Sequence, residues 1–150
     1  KIVREKVLAM KEIWCNDEAE YHGKFVNFDP IWSWPKPVQP GGPPIWMGAN
    51  SKWVFDRVAE YCDGWMPIGG SGSGGMNNMR TALEARGRSI DSLTIALFGA
   101  PLDVDAARGR IEQGFTDLIF GLPQSSRDKV LTRLDEIAAV VRRLRGAFSE

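Results

Sequence analysis

From Pro44 to the end of the chain, short continuous apolar runs alternate with stretches whose apolar residues recur every three or four positions. Ile45-Trp46-Met47-Gly48-Ala49 reads as a buried strand. Gly64-Trp65-Met66-Pro67-Ile68, Leu93-Thr94-Ile95-Ala96-Leu97-Phe98-Gly99 and Phe115-Thr116-Asp117-Leu118-Ile119-Phe120-Gly121 read as three more. Ser51 to Tyr61, Asn77 to Arg86, Asp105 to Gln113 and Arg127 to Leu144 read as helices. The first should present Trp53, Val54, Val58, Ala59 and Tyr61 to a core, and the second stops at Gly87, the place of a left-handed cap residue. Continuously apolar strands joined by helices predict a parallel sheet covered on at least one face, with right-handed crossovers. Four such units in about 100 residues are half of an eight-unit barrel. The expected class is therefore α/β, a partial TIM (β/α)8 barrel, with an open doubly wound sheet as the alternative. A half barrel leaves two edge strands and an inward layer of side chains uncovered, so the chain is expected to dimerise or aggregate.

Residues 1–16 read as an amphipathic helix, with Ile2, Val3, Val7, Leu8, Met10, Ile13 and Trp14 at helical spacing. The chain starts without Met and without a cap for this helix. On that ground we expect a carboxy-terminal fragment holding the last four β/α units. Residues 17–43 read as a hairpin, centred on Gly23, and a proline-rich excursion; the stretch from Asp29 to Pro44 holds six of the nine prolines and is expected to be an extended loop. Residues 1–150 are expected to form a single domain, with the four units in 44–150.

Lys and Arg balance Asp and Glu at nineteen each, which removes the electrostatic footprint of a nucleic-acid or membrane-surface binder. No apolar run is long enough to cross a membrane. Cys15 and Cys62 have neither metal-ligand spacing nor a disulfide framework and read as buried or half-buried thiols. Small-molecule partners and a cytoplasmic protein are expected. His22, the only histidine, sits in the hairpin near Glu20 and reads as a surface group rather than a general base. The chain has no His-Ser-acid set for triad hydrolysis.

Parallel α/β folds place their sites at the carboxyl ends of the strands. Those positions are Gly48-Ala49-Asn50-Ser51, the run from Gly69 to Gly75, Gly99-Ala100-Pro101 and Gly121-Leu122-Pro123. Gly70, Gly72 and Gly75 satisfy GxGxxG, a pattern that either cradles a phosphate on backbone amides or is a plain Gly/Ser loop. A ribose-binding acid about 20 residues on is missing, which weakens a nicotinamide-dinucleotide reading. Asn50 or Ser51 either caps the next helix through its side-chain oxygen or leaves that helix end to an anion. Trp46 and Trp65, near strand ends, are candidates to wall a flat conjugated ligand. Arg142, Arg143 and Arg145 read as a solvated helix face.

The chain resembles the luciferase-like monooxygenases, especially their deazaflavin-dependent oxidoreductase branch. Val7-Leu8-Ala9-Met10-Lys11-Glu12-Ile13-Trp14, Tyr21-His22-Gly23-Lys24-Phe25-Val26, Trp34-Pro35-Lys36-Pro37-Val38-Gln39, Pro44-Ile45-Trp46-Met47-Gly48-Ala49 and Arg57-Val58-Ala59-Glu60-Tyr61-Cys62-Asp63-Gly64-Trp65-Met66-Pro67 carry the likeness. It implies the carboxy-terminal half of a TIM barrel and a cofactor, FMN or coenzyme F-420, at the barrel mouth. Carried over, the cofactor-phosphate contacts fall on Gly48, Ala49, Asn50 and Ser51, with Gly69, Gly70 and Ser71 beside them. The family commonly has Gly-Gly where this chain has Gly48-Ala49, so the added methyl should hinder a close amide approach. Ring-facing and catalytic residues belong to the other half of such a barrel, and this piece alone should bind cofactor poorly and turn nothing over. A phosphate-cradling binding module and a non-catalytic half barrel that pairs with a second copy are the alternatives.

Overall fold

The computed structural model describes residues 1–68 and 73–147. Its elements run α1 (Ile2–Cys15), β1 (Glu18–His22), β2 (Asn27–Trp32), β3 (Trp46–Met47), α2 (Val54–Tyr61), β4 (Gly64–Trp65), α3 (Ser73–Glu84), a 3-10 turn (Ile90–Ser92), β5 (Thr94–Phe98), α4 (Val104–Glu112), β6 (Asp117–Ile119) and α5 (Arg127–Ala147). β3, β4, β5 and β6 form one parallel sheet in that spatial order. A doubly wound sheet reverses its strand order at a switch point, and the described sheet has no reversal. With right-handed crossovers, sequential order puts the connecting helices on one side.

Side chains alternate between the two faces of a strand, and here the faces have different fates. Met47, Trp65, Ile95 and Leu97 join Val54, Val58 and Tyr61 of α2 with Met76, Met79 and Leu83 of α3 in the main core. On the opposite face, Trp46, Ile68 and Phe98 remain 41%, 67% and 48% exposed. The expected buried first strand is therefore buried on one face only. A smaller cluster, Ala107 with Val140 and Leu144, fixes the carboxy-terminal half of α5 on α4. At 21 residues against 9, α5 outreaches α4 by roughly 18 Å. Its first turns thus have little to pack on, and Leu131 and Leu134 are exposed.

Several boundaries differ from the sequence expectation for local reasons. α2 begins at Val54, and Trp53, expected in the core, precedes it and is 59% exposed with Lys52 Nζ 4.8 Å above its ring. α3 begins inside the glycine-rich run at Ser73 rather than at Asn77. β2 continues through Pro30 to Trp32, into the stretch expected to be loop. The β1–β2 ladder changes register between Ala19 and Tyr21, the irregularity at which a strand tolerates proline. Cys62 is buried as expected, whereas Cys15 is exposed at the end of α1. Gly87 has φ +67°, the left-handed conformation its position predicted. Asp103 caps α4 by accepting from the Ala106 amide.

The excursion is fastened to α1 at three points. The Glu5 carboxylate accepts the Phe25 and Val26 amides at 2.6 and 3.1 Å, and the Phe25 bond chiefly holds its pKa below the ordinary carboxylate value. Lys36 Nζ donates to the carbonyls of Ile13, at 2.7 Å, and Asn16, so it caps the α1 carboxyl end. Gly42, at φ +94°, lies against the Trp14 ring, where a Cβ has no room.

Candidate functional site

The β3–α2 loop is built so that each of its residues has a distinct task. Gly48 lies on the uncovered face, and a Cβ there would stand 3.2 Å from the Met66 carbonyl oxygen on the next strand. Close strand packing thus accounts for this glycine. Ala49, by alternation, turns its methyl into the helix side and packs against the main core. The methyl that sets this chain apart at the second position is thus taken up by the core.

The loops after β3 and β4 are tied to each other. Trp65 Nε1 donates to the Ala49 carbonyl at 3.0 Å, and Asn50 Nδ2 donates to the Ile68 carbonyl at 3.0 Å. Trp65 is fully buried and meets Phe55 edge-on, centroids 5.6 Å apart. It cannot wall a ligand, contrary to the expectation from its place near a strand end; it holds the β3–α2 loop. Trp46 is accessible but lies over the neighbouring strand, where a Cβ on Gly64 would come within 2.5 Å of its indole.

Neither Asn50 nor Ser51 caps α2. The helix has no side-chain cap hydrogen bond; Ser51 contributes only its backbone carbonyl, accepting from the Val54 amide at 3.0 Å. Capping, one of the two readings the sequence left open, is thus removed for this end, and the helix presents its positive pole to the loop. Lys52 stands beside it, exposed, and was not singled out from sequence. Its signal was available: it is the single cation in the strand-end segment from Gly48 to Trp53.

The other strand ends contribute differently. Gly99, at φ +83°, and Ala100 both donate their amides to the Ile119 carbonyl at 3.0 Å, which engages them within the sheet. Gly121, Leu122 and Pro123 border an open cleft of about 550 Å³ against Asp128, Lys129, Thr132, Arg133 and Glu136 of α5. Gly69, Gly70 and Ser71, with Gly72 of the GxGxxG pattern, lie outside the described residues; Gly75 is within α3. His22 is exposed, 3.5 Å from Glu20, as a surface group should be. Among the described residues no His, Cys, Asp and Glu cluster fits a metal ion, and no helix is long and apolar enough to cross a membrane.

A half-buried arginine supports the scaffold. Arg88 Nη1 lies 3.2, 2.9 and 3.1 Å from the carbonyls of Val58, Ala59 and Cys62, closing the carboxyl end of α2. Burial, with Asp63 adding to it, pushes the Cys62 thiol up to about 11, so it is no nucleophile at neutral pH.

A sequence profile described as luciferase-like monooxygenase matches residues 1–145. An uncharacterised protein of Mycobacterium tuberculosis is 34% identical over 140 residues, covering 92% of this chain and 49% of that protein. The chain thus spans about half the length of the curated relative. The FMNH2-dependent dimethylsulfone monooxygenase of Pseudomonas putida is 29% identical over 89 residues, 57% of this chain and 24% of that protein. Among solved structures, an F-420-dependent secondary alcohol dehydrogenase superimposes with a TM-score of 0.53 at 9% identity, over 91% of this chain and 52% of that one. The coenzyme F-420 dependent tetrahydromethanopterin reductase of Methanopyrus kandleri gives 0.52 at 17% identity, over 69% and 30%. At such identities the likeness is one of fold.

Proposed function

The chain belongs to the luciferase-like monooxygenase family, and from that premise we propose that it is the phosphate-holding half of a flavin- or deazaflavin-dependent oxidoreductase. Its four β/α units are the carboxy-terminal half of a TIM (β/α)8 barrel, forming one domain with α1 and the excursion, and the site lies at the strand ends. The observation that carries this is the uncapped amino end of α2 beside Gly48, Ala49, Asn50 and Ser51. Amides and a helix pole aimed at one place, with the Lys52 ammonium near, suit the phosphate of FMN or coenzyme F-420. Gly69, Gly70 and Ser71 are proposed to add amides from the next loop.

In this reading Trp65 and Asn50 set the loop's position by holding the Ala49 and Ile68 carbonyls, and the apolar residues of the uncovered face keep water from the barrel interior. The cofactor, when bound, supplies the hydride chemistry, and the protein supplies orientation. The residues that face its ring belong to the other half of the barrel. The zero net charge suits small-molecule partners rather than nucleic acid, and two free thiols suit the cytoplasm.

Titrating the 150-residue chain with FMN, followed by flavin fluorescence, tests this. Weak, saturable binding that inorganic phosphate competes away, without turnover, is expected. Binding indifferent to phosphate would remove the phosphate assignment, and tight stoichiometric binding with turnover would remove the half-site assignment.

A further inference from the structure

A groove of about 400 Å³ runs between α2 and α3, with Lys52, Phe55 and Asp56 on the α2 side and Asn78, Thr81 and Ala85 on the α3 side. Both walls belong to consecutive β/α units of this chain. The helices of a β/α barrel form its outer ring, so the groove lies outside the barrel interior. It shares Lys52 with the uncapped amino end of α2.

The charges of the groove do not cancel. Arg86 Nη1 takes up the Asp56 carboxylate at 3.3 Å, which leaves the Lys52 ammonium as the uncompensated charge of the lining. Lys52 meets only the Trp53 ring, 4.8 Å away. Among the described residues no hydrogen bond engages the side chains of Asn78 and Thr81, so an amide and a hydroxyl stand open beside that cation. Phe55 gives the groove a fixed apolar wall, since its ring is held edge-on by the buried Trp65.

A phosphate held at the α2 end has the cofactor ring on one side, toward the barrel mouth, and this groove on the other. FMN is a phosphate monoester and has nothing to place there. Coenzyme F-420 is a phosphodiester, and beyond its phosphate it carries a chain of glutamyl carboxylates. We propose that the α2–α3 groove receives this acidic chain, so that the half barrel selects a phosphodiester cofactor with a carboxylate-bearing extension over a monoester. The Lys52 ammonium faces the carboxylates, Asn78 and Thr81 donate to them, and the methylenes of the chain lie along Phe55. The inference rests on the phosphate assignment above and chooses between the two cofactors that assignment leaves open.

Fluorescence titration of the 150-residue chain with three probes tests it: F-420, the same deazaflavin phosphodiester lacking the glutamyl chain, and FMN. F-420 should bind about fivefold tighter than the shortened diester, the worth of one exposed charge pair, and added salt should shrink that margin. Thr81→Glu sets a carboxylate in the groove and should erase the margin while leaving the shortened diester and FMN unaffected. Ala106→Glu, at an exposed site on α4, should leave the margin intact. Circular dichroism confirms folding, and Ala85→Glu, at another exposed position of the groove, takes the place of Thr81→Glu if that variant does not fold. Equal affinity for F-420 and the shortened diester, a margin that survives the groove variant, or a margin lost in Ala106→Glu would each overturn the proposal. Equal, phosphate-sensitive binding of all three probes would leave the proposed function standing, whereas no binding of any would remove the phosphate assignment and this inference with it.

Discussion

Trp65→Phe is the substitution that links the scaffold to the site, because one side chain fills the core and holds the loop. The wild-type indole is fully buried, donates to the Ala49 carbonyl at 3.0 Å and meets the Phe55 ring at 68°. Phenylalanine keeps the first ring and vacates roughly 40 Å³, which costs about 1 kcal/mol at the cavity coefficient. Loss of the indole donor adds about 1 kcal/mol, and loss of part of the edge contact adds about 0.5–1 kcal/mol. The expected destabilisation is about 3 kcal/mol, a large share of the 5–15 kcal/mol typical of a domain. Urea unfolding followed by circular dichroism measures it. Trp32→Phe is the control, since Trp32 is 78% exposed and donates only to the exposed Glu18 carboxylate, so its loss should be about 0.5 kcal/mol or less. FMN binding should weaken several-fold in Trp65→Phe and stay unchanged in Trp32→Phe. A Trp65→Phe loss below about 1 kcal/mol, or equal losses in both variants, would refute the assignment of Trp65 as the anchor of the β3–α2 loop.

Two further outcomes are open to measurement. Arg88→Leu should destabilise by about 2 kcal/mol in the same urea assay, because three carbonyls at the end of α2 lose their charged donor, and Arg88→Lys should restore only part of this. The Cys62 thiol sits at about 11 against an ordinary 9.0, so the folded state holds that proton more tightly than the unfolded chain. Its contribution is whole below pH 9 and is lost as pH rises through about 11, and Cys62→Ala should flatten that alkaline decline. An aromatic disulfide reagent at pH 8 should therefore titrate one thiol per native chain, the exposed Cys15, and two after denaturation.

How much was legible beforehand depended on whether a neighbour in sequence or a neighbour in space decided the outcome. The strand–helix alternation after Pro44 predicted every element of the parallel sheet, since apolar period is a property of the local chain. Gly87 followed from the same local rule. The strands came out shorter than their apolar runs, because pairing partners fix where a ladder ends; the β3–β4 ladder runs only from the Gly64 amide on the Ile45 carbonyl to the Met66 amide on the Met47 carbonyl. Pro30 entered a strand because the opposing strand shifts register there. Within the β3–α2 loop, the hydrogen-bonding duties of the residues were not legible. Asn50 looked like a helix cap from sequence and is a tether to Ile68, a residue 18 positions away.

The sequence by itself therefore determined the order and type of the elements, the neutral charge balance and the set of strand ends at which a site could form. Only the tertiary structure decided which face of the sheet is left bare, that Trp65 is an anchor while Trp46 is open, that the Ala49 methyl turns into the main core, and that α2 keeps an uncapped end. The physical reason is range. Periodicity and turn chemistry act over a few residues, whereas burial and hydrogen-bond partnership are set by groups that meet only once β3, β4 and β5 lie side by side.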